Sequence, residues 1–317
     1  MDGRPPVIVD MLSSTFMQRA LIVAVLVGLA APVVGTYLVQ RRLTLLGDGI
    51  GHVALTGVAL GWLAASAAGA IDKDAWAVPG AILASVVGVL LIEWMRTRGH
   101  ASGDVALAML FYGGIAGGVL LIGIAGGTTS NLNAYLFGSI STVTQTDTYL
   151  TIGLTILILA VGIGLRPALF ALCHDEEFAR ASGLPTGLLS ILISVTAALT
   201  VALAMRIVGA LLVSALMVIP VAIAQSISRS FKATMRAAMA IGVVVAVTGL
   251  VVTYIKPWSP GATIVVLAVA LYAVVVALRP LVMRALRRDV HRHPHPHHVP
   301  DVEVGGTDAP CEQAHLR

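Results

Sequence analysis

Apolar runs, each long enough to cross roughly 30 Å of hydrocarbon as a helix rising about 1.5 Å per residue, recur along the whole chain. They fall near residues 20–39, 43–65, 75–93, 105–125, 148–165, 186–204, 207–227, 237–255 and 261–278. Nothing else in the sequence limits the fold as strongly. Of the 317 residues, 57% are hydrophobic and 11% charged, too few charges to clothe a water-soluble surface of this size. The chain therefore reads as an all-α, polytopic membrane protein with about nine transmembrane helices in one bundle. Its organisation reads as an N-terminal segment (1–16), a transmembrane domain (17–280) and a cytoplasmic, histidine-rich tail (281–317) whose composition predicts disorder. The opening MDGRPPVIVDMLSSTF lacks a basic segment, short apolar core and small-residue cleavage site in that order, so no signal-peptide cleavage is expected.

Short loops rich in Arg and Lys stay cytoplasmic, and here the basic residues sort by side. With nine spans and an external N-terminus, the inside receives Arg41, Arg42, Arg96, Arg98, Arg166, Arg180, Arg229, Lys232, Arg236 and the tail from Arg279. The outside keeps Arg4, Arg19, Lys73, Arg206 and Lys256. The net charge of +4 is accounted for by this topology, and no nucleic-acid partner is expected. Cys173 and Cys311 both fall inside, too few for a disulfide framework or a zinc knuckle.

Most loops are short, and glycine-rich stretches such as FYGGIAGGVLLIGIAGG let helices approach closely. Pro32, Pro79 and Pro220 fall inside spans, where each removes a backbone donor. Two connections are longer than packing requires. The external one (128–147) contains Tyr135, Leu136 and Phe137 and predicts a short helix at the interface. The internal one (166–185) predicts a helix capped by Asp175, with Glu176 and Glu177 in its first turn and a stop at Gly183 and Pro185. Acids in that first turn repel anionic lipid, so a basic protein partner suits it better.

Several chemistries are missing. There is no G-x-x-x-x-G-K-[ST] phosphate loop, H-E-x-x-H or G-x-G-D, so neither ATP hydrolysis by that loop nor intramembrane proteolysis is expected of the chain. What stands out is GDGIGH. Asp48 and His52, four residues apart, share a helix face with roughly 5–6 Å between Cβ atoms. That spacing lets an oxygen and a nitrogen converge on one divalent ion at about 2.0–2.2 Å, a donor set suited to zinc, manganese or iron. An ionisable pair in mid-membrane normally faces a pathway. The pair lies at mid-membrane if its helix starts near Leu43, and is a helix cap if the start is near Val53. In the tail, His291, His293, His295, His297 and His298 form a proline-interrupted tract able to hold zinc loosely, or a low-complexity end without function.

Four pieces carry a resemblance: the stretch from FMQRALIV through RRLTLLGDGIGHVALTGVALGWL, NLNAYLFGSI, DEEFARASG, and IVGALLVSALMVIPVAIA. Together they resemble the permease subunits of bacterial zinc/manganese/iron ABC importers over about residues 16–280. The resemblance implies a multi-pass subunit of the bacterial cell membrane, with an external N-terminus and a cytoplasmic C-terminus. It further implies a homodimer with its path at the dimer interface, fed by an extracytoplasmic metal-binding protein and driven by separate cytoplasmic ATPases. Asp175, Glu176, Phe178, Ala179 and Gly183 would form the ATPase contact, and Asp48 and His52 the transient metal site. No permanent cofactor and no catalysis by this chain are implied. The transported ion is a divalent transition metal, and the histidine tail leans the choice towards zinc, with manganese and iron open. Family members commonly carry serine and proline where Gly51 and Thr56 stand. The alternative is a secondary metal or proton transporter, or a channel, working without an ATPase.

Overall fold

A computed structural model describes residues 14–98, 103–139, 144–210, 212–256 and 258–290. The five tail histidines and Cys311 lie outside the described residues. The chain divides into two units, Met1–Ala277 and Leu278–Arg317. Among the described residues every regular element is helical. In chain order they are α1 (Thr15–Gln40), α2 (Leu46–Ala67), a 3-10 turn (Asp74–Trp76), α3 (Ala77–Thr97), α4 (Gly103–Ile124), α5 (Thr129–Phe137) and α6 (Gln145–Gly164), followed by α7 (Arg166–His174), α8 (Glu176–Ala181), α9 (Thr186–Val208), α10 (Val213–Ile227), α11 (Phe231–Ile255) and α12 (Pro260–Val290).

Eight described helices are long and apolar enough to cross a membrane. The exception among the expected spans is the seventh. Its residues split at Gly209, whose φ of 93° suits glycine. Only α10 follows, and its 15 residues rise about 22 Å, short of the hydrocarbon thickness.

Burial sorts the helices within the first unit. The apolar windows of α1, α2 and α9 are 72%, 61% and 72% buried, against 22% for α4 and 28% for α6. Since lipid is as apolar as leucine, burial here reflects close packing more than water avoidance. Small residues permit it: a Cβ on Gly57 of α2 would collide with the Gly80 carbonyl of α3, and one on Gly80 with the Gly57 carbonyl. Pro32 sits in mid-α1, where Thr36 Oγ1 donates to its carbonyl at 2.7 Å. Pro79 falls in the first turn of α3, where a missing N–H costs little.

Both long connections are more structured than the sequence indicates. The external helix, α5, is tied into the bundle. Tyr135 is buried, its carbonyl accepts from the Ala210 N–H at 2.9 Å, and the Phe137 carbonyl accepts from Ser259 Oγ at 3.0 Å. The internal connection forms two helices, α7 and α8. Asp175 caps α8 by accepting from the Phe178 N–H at 2.9 Å. At the other end the N–H groups of Gly183 (φ 80°) and Leu184 donate to the carbonyls of Arg180 and Ala179, completing a Schellman stop.

Candidate metal site

The second span starts at Leu46, between the two alternatives and closer to Leu43. Asp48 therefore stands in the first turn, where the positive end of the helix dipole favours a carboxylate. Ser214 of α10 lies across from it, its Oγ 3.5 Å from Asp48 Oδ1. One turn further, His52 is 4% exposed. Its ring meets Phe111 of α4 edge to face, with centroids 4.6 Å apart and planes at 83°. Buried His52 Nδ1 has no hydrogen-bond partner among the described residues. A buried polar atom without a partner is costly unless something else satisfies it.

Depth follows from the neighbour. A Cβ on Gly114 would approach the His52 carbonyl carbon to 2.8 Å. Gly114 sits in the middle of α4, about 16 Å from its first residue at 1.5 Å per residue. His52 is thus level with the midpoint of a full-length span, although it occupies only the second turn of its own helix. On the opposite side, a Cβ on Gly51 would come within 2.6 Å of the Ala210 carbonyl oxygen, so α2 is pressed between α4 and the turn before α10. Thr56 ties α2 to α4, donating at 2.8 Å to the Gly114 carbonyl.

Two members of this environment, Ser214 and Phe111, escape a reading based on charge. Ser214 had a usable signal: it is the one hydroxyl in the apolar run LLVSALMVIP. Phe111 had none, because aromatic residues in spans are commonplace. Among the described residues no group of three or more His, Cys, Asp and Glu side chains comes together. The pair offers two candidate ligands from side chains alone.

At the other proposed contact, the residues divide. Phe178 is 65% exposed, and Asp175, Glu176 and Gly183 also face outward. Ala179 is 0% exposed. It is covered within the chain itself, unlike the other four. Asp147 completes a capping box with Thr144, and Trp94, beside Glu93, carries the Arg98 guanidinium over its ring at 5.2 Å.

A family model described as the ABC 3 transport family matches residues 13–279. The structure is similar to that titled PsaBC from Streptococcus pneumoniae in complex with Fab, with a TM-score of 0.74 and 29% identity over 85% of this chain and 94% of that one. In sequence it is 33% identical to the manganese import system permease protein ScaB of Streptococcus parasanguinis, over 53% of this chain and 57% of that protein. It is also 29% identical to the manganese transport system membrane protein MntC of Halalkalibacterium halodurans, over 57% and 59% respectively. These matches span less than two thirds of the length of either relative.

Proposed function

We propose that this chain, which belongs to the ABC 3 transport family, is the membrane-spanning subunit of an importer for a divalent transition metal. The observation that carries the reading is the Asp48–His52 pair. A carboxylate and an unpartnered imidazole nitrogen, one turn apart at mid-span depth, are a costly arrangement that a passing cation would satisfy. Two side-chain ligands, with Ser214 nearby, make a weak site. A pathway needs that weakness, because an ion held by a full ligand shell does not leave.

The remaining parts of the reading rest on composition and kinship. A second copy of the chain would complete the path, and an extracytoplasmic binding protein would deliver the metal. Cytoplasmic ATPases would dock on α8 and drive alternating access. The subunit would sit in the bacterial cell membrane with its C-terminus, including the histidine tract, inside. The names of the manganese-transporting relatives favour manganese, whose affinity for carboxylate oxygen suits Asp48. The imidazole and the histidine tract keep zinc and iron in the comparison.

The test is uptake of labelled manganese, zinc and iron by cells carrying the complete transporter, with Asp48→Ala and His52→Ala variants. Uptake should fall at least tenfold while assembly and ATP hydrolysis persist. Wild-type uptake in both variants would remove the pair from the pathway. Loss of ATPase copurification on changing Glu176 and Phe178 would support the ATP-driven reading, whereas uptake without any ATPase would favour a secondary transporter.

A further inference from the structure

Arg41 is the last residue before the chain turns from α1 into α2, and its guanidinium is embedded. The side chain is 8% exposed. Nη1 donates to Ser190 Oγ of α9 at 2.8 Å, and Nη2 reaches Glu176 Oε2 of α8 at 3.4 Å. Ser190 is 4% exposed, while the Glu176 carboxylate is half exposed and shared with Arg180 at 3.2 Å. A single cation thus joins the end of α1, the start of α8 and the first turns of α9. An arginine fork suits this task because its donors point in fixed directions.

The backbone on the other side of Arg41 is equally constrained. Arg42 has φ 58°, a left-handed conformation that side chains other than glycine adopt at a cost. It is held there by a Schellman stop, with Arg42 N–H donating to the Val39 carbonyl at 3.2 Å and Leu43 N–H to the Leu38 carbonyl at 2.8 Å. The Leu46 N–H, the first in α2, donates back to the Leu43 carbonyl at 3.1 Å. Between the guanidinium and Asp48 the short connection is bonded at Arg42, Leu43 and Leu46. A shift of α8 would move Glu176, and with it Arg41, the stop and the first turn of α2.

We infer that Arg41 is a positioning residue that couples movement of α8 to the geometry of Asp48. The inference rests on the importer reading above. Its content is additional: the link runs through the α1–α2 turn and the Arg41 guanidinium, and it sets how many metal ions move for each ATP hydrolysed. A cap holding α1 in place would affect assembly or stability without altering that ratio.

The experiment measures metal uptake and ATP hydrolysis together in proteoliposomes containing the complete transporter and its binding protein. Wild type that shows no ATP-driven uptake overturns the importer reading, and this inference with it. Given a coupled wild type, Arg41→Gln should lower the metal-to-ATP ratio about fivefold or more, the range of ordinary coupling energies, with the ATPase still copurifying. Arg41→Lys, which keeps the charge but not the fork, should fall between the two. Ser190→Ala removes one anchor and should lower the ratio by a smaller factor. If Arg41→Gln reduces uptake and hydrolysis in equal proportion, or leaves both unchanged, the inference is overturned. Should that variant not assemble, Ser190→Ala decides, and an unchanged ratio there overturns it.

Discussion

The polar groups around α2 fall into two regions that treat hydrogen bonding in opposite ways. At the α1–α2 turn, Arg41, Glu176, Arg180 and Ser190 are joined by donors and acceptors at 2.8 to 3.4 Å. Inside the span, Asp48 has one long contact to Ser214 and His52 Nδ1 has none among the described residues. Satisfied groups stabilise the structure that contains them, whereas an unsatisfied buried group costs about 1–3 kcal/mol. The contrast separates polar groups that the fold satisfies from polar groups that it leaves open.

The sharpest way to break this contrast is to remove the pair. His52→Leu should abolish uptake, a loss of tenfold or more, yet leave the thermal midpoint in detergent unchanged or higher, because a buried atom without a partner disappears. A fall in midpoint comparable to that of a core truncation would mean that His52 is structural. Next in size is Gly114→Leu. Its side chain would have to displace the His52 backbone, and overpacking of this kind costs about 1–3 kcal/mol. Uptake should drop along with stability, as measured by unfolding of the purified protein.

A smaller effect is expected where a buried group is fully used. Tyr37 OH donates to the Gly162 carbonyl of α6, so Tyr37→Phe should lower stability by about 1 kcal/mol while the metal selectivity stays that of wild type. The smallest concerns Cys173 of α7. Burial, opposed weakly by the neighbouring Arg41 guanidinium, pushes its thiol up to about 11. Only about one thiol in ten thousand would then be ionised at pH 7, and the thiolate is the reactive form. In a Cys311→Ser background, maleimide labelling of folded protein should be slow at pH 7 and quicken roughly tenfold per pH unit up to that value. Rapid labelling at neutral pH would show that the α7 end of the turn region opens.

Much of this was legible in the sequence because it is local. The four-residue spacing of Asp48 and His52, the Asp175 cap and the Gly183 stop each depend on neighbours within one or two turns. Depth was not local. Whether His52 lies at mid-span depends on Gly114 passing beside it, and nothing in GDGIGH encodes the level of α4. Ala179 shows the same limit. Its place in DEEFARASG suggested a surface residue, but the phase of a six-residue helix against the bundle decides which side faces in. The seventh apolar run was also misleading in extent, since composition does not register the turn at Gly209 that shortens it.

That shortening bears on how the protein is made. A segment of 15 residues with Pro220 inside it has too little apolar length to be retained in a bilayer by itself. On length alone its entry during synthesis is expected to accompany that of α9, which precedes it in the chain, as one hairpin turning at Gly209.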